Sequence, residues 1–166
     1  MVQRHFLKSR EVKQLVGECF QAFNVNLLPS KIGVERVETE RATIYLVDGE
    51  PILAKVNNRL IPTLRFSQAL SSLPSVIVNM GAVPAICNGA DVMAPGVVAT
   101  DGDFQEGKLV VVRDERHRKL LALGIALVNK AQIASSDRGK VVMNIHYVGD
   151  WLWKLMKELE KSRFSR

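Results

Sequence analysis

The sequence predicts an α+β protein of two domains, with a small α/β domain followed by a small closed or nearly closed barrel and a final helix. An amphipathic helix and a hairpin signal occupy the first half, and short β-rich runs follow a Ser-Ser-Leu-Pro step at 71–74. Helical periodicity returns after residue 150. We therefore predict domains at 1–73 and 74–150, and a helix at 151–166 that packs on the N-terminal domain.

The first half begins with a predicted helix capped by Ser9, because apolar residues recur at helical spacing after it. The Asp48-Gly49 step lies between two β-rich runs. It predicts a hairpin, since both residues tolerate a positive φ. A second short helix is predicted to open at Pro62 and to end before Pro74.

The second half predicts short strands at regular spacing, which is typical of a small barrel. The predicted strands lie at 75–78, 91–98, 108–113, 120–128 and 140–148. Asp150 is suited to cap the last helix, because an apolar face begins directly after it. That face comprises Trp151, Leu152, Leu155, Met156 and Leu159.

Composition and motifs favour a binding protein over an enzyme. The chain has 166 residues, a formal net charge of +6 and 47% apolar residues, enough for a buried core. Its three histidines are scattered, and no metal, nucleophile or nucleotide motif is present, so we expect no cofactor and no metal. Without a bilayer-length apolar run or a signal peptide, the expected location is the cytoplasm and no membrane partner is expected.

The segment GAVPAICNGADVMAPGVV, at 81–98, combines high hydrophobicity with three glycines and two prolines. Asn79 is predicted to cap a short helix whose first turn holds Gly81 and Ala82. Such small residues would leave backbone N–H groups open to a phosphate. Gly89 fits the left-handed position that ends the helix, and a sharp turn is expected at Pro95-Gly96.

This segment, together with EGKLVVV and the strand ALGIALV, resembles a PUA domain, the RNA-binding module named for pseudouridine synthases and archaeosine transglycosylases. The flanking IPTLRFSQAL and NIHYVGDWLW resemble translation factors of the malignant-T-cell-amplified-sequence and ligatin type. The resemblance implies a small α/β pre-PUA domain, then a PUA pseudo-barrel and a C-terminal helix. Residues 79 and 80 are Asn and Met, where the family usually has an acidic and a basic residue.

The resemblance also implies which residues contact RNA. They are Gly81, Ala82, Val83, Asn88, Gly89, Ala90, Pro95 and Gly96. The segment RDERHRK, at 113–119, is named here the basic loop. Its residues Arg116, Arg118 and Lys119 are candidate phosphate contacts that would replace the missing positive charge. A purely solvated loop is the alternative interpretation.

The function that the resemblance implies is RNA binding in translation, at the small ribosomal subunit or the acceptor end of tRNA. The expected partners are tRNA or rRNA, the small subunit and a translation-factor protein. One alternative is an accessory subunit that presents RNA to a modification enzyme. The other is a protein-interaction module without RNA affinity.

Overall fold

The computed structural model describes residues 2–27 and 33–164. The chain divides into two compact units. The N-terminal unit runs to Ser72 and also includes the final helix from Lys154 onward, and the C-terminal unit is formed by residues 73–153. The mixed architecture confirms the predicted α+β fold class.

Within residues 2–27 and 33–72, the N-terminal unit has an antiparallel sheet of five strands in the order β1-β2-β3-β4-β5 and two helices. Its elements are β1 Gln3–Phe6, α1 Ser9–Phe23, β2 Val34–Glu38, β3 Thr43–Val47, β4 Glu50–Val56, β5 Arg59–Pro62 and α2 Ser67–Ser72. The hairpin at Asp48-Gly49 is confirmed, with φ values of 51° and 86°. A second tight turn, which the sequence did not suggest, uses Asn57 and Asn58 at φ 50° and 62°.

Two helix starts in this unit differ from the predictions. Ser9 is the first residue of α1 and not its cap, because the extended residue before the helix is Lys8. The Lys8 backbone N–H donates to the Glu11 carboxylate at 3.2 Å, which holds this entry. Pro62 does not open α2. It ends strand β5, where it lies opposite Leu53, and the helix begins five residues later at Ser67.

The C-terminal unit contains a six-stranded sheet in the order β7-β11-β10-β9-β6-β8. Its strands are β6 Ser75–Val78, β7 Val92–Met93, β8 Val97–Asp101, β9 Leu109–Asp114, β10 Leu120–Ala126 and β11 Lys140–Tyr147. A 3₁₀ turn at Met80–Ala82 leads into α3 Val83–Ile86, another 3₁₀ turn spans Ala94–Gly96, and α4 covers Lys130–Ser135. The predicted strand at 91–98 is in fact two strands, β7 and β8, and the sharp turn predicted at Pro95-Gly96 is confirmed by the 3₁₀ turn that separates them. Helix α4 was not predicted.

The core of this unit fills one face of its strands. Val76, Val78, Val110 and Val112 are buried there, and Ile86 of α3 joins them. These valines alternate along β6 and β9, which explains why short β-branched runs were recognisable as strands. The position of Ile86 in this cluster fixes α3 against the sheet.

The final helix, α5 Trp151–Phe164, crosses the division between the units, and the last two residues of the predicted helix lie outside the described residues. Asp150 caps it as predicted, accepting the Trp153 N–H at 2.8 Å. The buried His146 ring is hydrogen-bonded to the same carboxylate, with Nδ1 2.8 Å from Oδ2. Burial opposes ionisation of Asp150, but the hydrogen bonds from His146 and from backbone N–H groups outweigh it and lower its pKa.

Candidate nucleic-acid interface

The residues from Asn79 to Gly96, named here the turn segment, form a short capped helix and a returning turn. The Asn79 side chain accepts the Ala82 N–H at 3.0 Å, so the predicted cap is confirmed. The Asn79 backbone N–H donates to the Gly96 carbonyl at 2.9 Å. A Cβ on Gly96 would lie 3.3 Å from the Ala82 Cβ, so the turn packs closely on the start of the helix.

The same bonds overturn one prediction about this helix start. The Ala82 N–H is not open to a phosphate, because the Asn79 side chain already accepts it. The Met80 N–H donates to Glu115 of the basic loop at 3.3 Å. The Ala82 side chain is also half-buried against the core of the unit. The first turn therefore presents a surface of small side chains, and two of its backbone N–H groups are already hydrogen-bonded within the protein.

The far end of the turn segment is held by Asn144 of β11. Its side-chain amide donates to the carbonyls of Ile86 and Ala90, both at 3.1 Å. Gly89 adopts the predicted left-handed conformation at φ 95°, and a Cβ there would lie 3.0 Å from the Tyr147 ring. Strand β11 therefore locks the end of α3 by hydrogen bonds and by close packing.

The basic loop is organised around the buried carboxylate of Asp114. Asp114 accepts the His117 N–H at 2.7 Å. This bond is the main cause of the lowered pKa of Asp114; burial opposes it, and the N–H groups of Arg116 and Lys119 assist it. Arg118 has a left-handed φ of 55°, and its carbonyl accepts from Arg113 Nη1 at 3.1 Å. The loop is thus a defined turn with its cations on the outside.

The basic loop begins beside the turn segment. The Glu115 N–H donates to the Val78 carbonyl at 2.9 Å, and its carboxylate meets the Met80 N–H. The loop residue in contact with the helix start is therefore an acid. Within the described part of the chain, no carboxylate lies within 4.0 Å of Arg116, Arg118 or Lys119. Their charges remain available to a partner.

Comparisons with known proteins identify relatives of both parts of the chain. Residues 74–148 match the PUA domain family, and residues 3–68 match the domain of unknown function DUF1947. An uncharacterized protein of Methanocaldococcus jannaschii is 43% identical over 91% of this chain and 95% of its own length. Translation machinery-associated protein 20 of Saccharomyces cerevisiae is 30% identical over 80% of this chain and 77% of its own length.

This chain belongs to the PUA-domain family. A solved PUA-domain protein of Aeropyrum pernix, crystallised as a tartrate complex, superposes with a TM-score of 0.80 at 27% identity. It covers 96% of this chain, and the chain covers 94% of it. The resemblance stated from the sequence is therefore confirmed over both units, including the N-terminal unit, where the sequence alone showed little similarity.

In the PUA domain, the sequence-predicted site residues fall into two accessibility classes. Exposed residues are Gly81, Asn88, Ala90, Pro95, Arg116, Arg118 and Lys119. Half-buried residues are Ala82, Val83, Gly89 and Gly96. The second class shapes the surface and holds it in place, while only the first class can present side chains or backbone to a ligand.

Sequence reasoning missed three residues that build this surface. Asp114 organises the basic loop, Glu115 joins it to the turn segment, and Asn144 anchors α3. An Asp at the end of a strand, three residues before a backbone donor, is a recognisable turn signal and could have identified Asp114. The other two act across 35 and 58 residues of sequence, which no local pattern reveals.

The described residues contain no group of three or more His, Cys, Asp and Glu side chains arranged to hold a metal ion. Among the described helices, none has the length and hydropathy that a membrane span requires.

Proposed function

We propose that this protein is an RNA-binding factor of translation that engages the small ribosomal subunit or the acceptor end of tRNA through its PUA domain. The observation that carries the proposal is the bond between Glu115 and Met80, which places the basic loop directly beside the turn segment. A rigid surface of small residues and a set of unpaired cations thus adjoin each other. The similarity to translation machinery-associated protein 20 supports a role in translation.

The proposed binding mode combines close backbone approach with phosphate neutralisation. Exposed Gly81, Ala85 and Pro95 present little bulk, so a nucleic-acid backbone can lie against the turn segment. Arg116, Arg118 and Lys119 then supply charge at its edge. The turn segment contains no aromatic residue, so base stacking contributes little there and sequence preference is modest.

The protein binds RNA in this proposal without changing it chemically. No catalytic constellation was recognisable in the sequence, and the buried His146–Asp150 pair caps α5 from within the fold. A translation-factor protein is the expected protein partner, and the cytoplasm is the expected place of action. Mass spectrometry of a tRNA incubated with the purified protein should find every base unchanged.

Two measurements test the binding proposal. The protein should co-sediment with small ribosomal subunits, and its affinity for a labelled single-stranded RNA should fall steeply with salt. If about three to five phosphates are neutralised, the slope of log affinity against log salt is about −2 to −3.5. Absence of RNA binding at low salt, together with no co-sedimentation, would contradict the proposal.

A further inference from the structure

An open cleft of about 420 Å³ lies on the outer face of strands β6, β8 and β9, apart from the turn segment. It is lined by Ser75, Ile77, Thr100, Asp101, Arg113 and Arg118. We propose that this arginine cleft binds a phosphate group of RNA between Arg113 and Arg118. The assignment of the phosphate to RNA rests on the proposed function, whereas the oxyanion site itself rests on the cleft alone.

Strand register brings four of these residues to one face: Ser75, Ile77, Asp101 and Arg113. Ser75 pairs with Asp101 on β8, and Ile77 pairs with Arg113 on β9. Because side chains alternate along a strand, Val76 and Val78 point the other way, into the core. Arg113 therefore lies on the face opposite the core cluster.

The two guanidinium groups lack internal counterions. Arg113 is half-buried, and among the described residues its side chain bonds only to the Arg118 carbonyl, which leaves most of its five N–H donors unused. No carboxylate oxygen of the described residues lies within 4.0 Å of Arg113 or Arg118, although Asp101 lines the same cleft. By contrast, Arg4 in the N-terminal unit pairs with Glu35 at 2.7 Å. With two arginines and one aspartate in its lining, the cleft carries a net positive charge.

A neutral donor completes the site. The hydroxyl group of Ser75, on the same face as Arg113, makes no hydrogen bond to another described residue. Two planar guanidiniums and one hydroxyl supply donors of the kind that a tetrahedral phosphate accepts. Because Arg118 follows the turn built on Asp114, its backbone is fixed before any ligand arrives.

Asp101 favours a ribose phosphate over an acidic peptide as the occupant. An exposed carboxylate at this rim repels a chain of carboxylates, because both partners can only accept hydrogen bonds. A ribose 2′-hydroxyl can donate to Asp101 while the neighbouring phosphate is bound by the arginines. The arginine cleft should therefore prefer RNA to DNA of the same sequence.

The direct test is an amide NMR titration with inorganic phosphate, followed by a ten-nucleotide RNA and its DNA counterpart. Phosphate should shift the amide signals of Ser75, Thr100 and Asp101. Arg113→Gln and Arg118→Asn should each weaken phosphate binding about tenfold by removing a charged donor. Asn is chosen at position 118 because it tolerates a left-handed φ. The matched control is Arg138→Gln, which removes one exposed charge outside the cleft.

Circular dichroism should show that both variants fold. If Arg113→Gln unfolds, Arg113→Lys takes its place, because it keeps the charge but lacks the planar guanidinium with its paired N–H donors. Weaker phosphate binding by Arg113→Lys than by the wild type then supports the site. The double variant, which carries Arg113→Gln and Arg118→Asn together, should bind RNA about three- to tenfold more weakly than the wild type. The slope of its log affinity against log salt should be smaller in magnitude by about 0.7, because one phosphate contact is lost.

The outcomes separate this inference from the proposed function. Unchanged RNA affinity in the double variant overturns the arginine cleft but leaves RNA binding elsewhere intact. Phosphate binding in the cleft without any RNA binding overturns both the proposed function and the assignment of the phosphate to RNA. A polyglutamate peptide that competes as well as RNA contradicts the choice of ribose phosphate.

Discussion

The turn segment and the basic loop adjoin each other but are built on opposite principles. Across its 18 residues the turn segment has one charged side chain, Asp91, which pairs with Lys140 at 3.2 Å and accepts the Asn144 N–H. The basic loop has four Lys and Arg residues in seven, and none has a carboxylate partner among the described residues. One region supplies shape and the other supplies charge, so each can be altered separately.

The largest effect on stability is expected from a substitution at Gly89 that disrupts the structure of the turn segment. Gly89→Val should destabilise the protein by about 3 kcal/mol, because it combines a left-handed φ with a clash against the Tyr147 ring. Gly107→Val is the control, since Gly107 also has a positive φ but has open space around it. Urea unfolding should show a loss of about 1–2 kcal/mol there. Equal losses would mean that the ring contact does not constrain the turn segment.

Removing positive charges from the basic loop should leave the structure of the turn segment intact. The triple change Arg116→Ala, Arg118→Asn, Lys119→Ala should reduce the salt slope of RNA binding by about 2, or 0.7 for each lost phosphate contact. Thermal unfolding should change little, because these exposed side chains have no ion-pair partners in the described structure. An unchanged slope would show that the basic loop is only a solvated turn.

Placing charge on the turn segment sharpens the comparison. Ala85 is exposed on α3, so Ala85→Glu should weaken RNA binding about three- to tenfold and Ala85→Lys should strengthen it. The matched control is Ala131→Glu, which makes the same change on exposed α4. Fluorescence anisotropy at a single salt concentration measures all three. If Ala85→Glu and Ala131→Glu behave alike, RNA does not lie along α3.

The smallest effect concerns the pH dependence of the basic loop. The pKa of Asp114 is lowered in the folded state, so its contribution to stability is present above the unfolded value of about 3.9. It is lost as the pH falls through the folded pKa. Asp114→Asn should therefore flatten the decrease of thermal stability below about pH 4. An identical pH profile in this variant would assign the acid sensitivity to other carboxylates.

Much of the turn segment could be predicted because its constraints are local. Asn79 caps the helix by accepting the N–H three residues ahead, and Gly89 adopts a left-handed conformation that a residue without a side chain allows. The prediction that Pro62 starts a helix was wrong because proline is tolerated at the end of a strand as well as in the first turn of a helix. The prediction of a free N–H at Ala82 was wrong because the side chain that caps a helix accepts a hydrogen bond from one of its first N–H groups.

Acting alone, the sequence determined the fold class, the Asp48-Gly49 hairpin, the caps at Asn79 and Asp150, and the resemblance to PUA domains. Each depends on residues that lie close together in the chain, where conformational preference and periodicity are decisive. Only the tertiary structure shows that Glu115 contacts Met80 and that Arg113 shares a cleft with Ser75 and Asp101. Those neighbours come from strands paired across long sequence separations, and strand register, which no local pattern encodes, sets which side chains share a face.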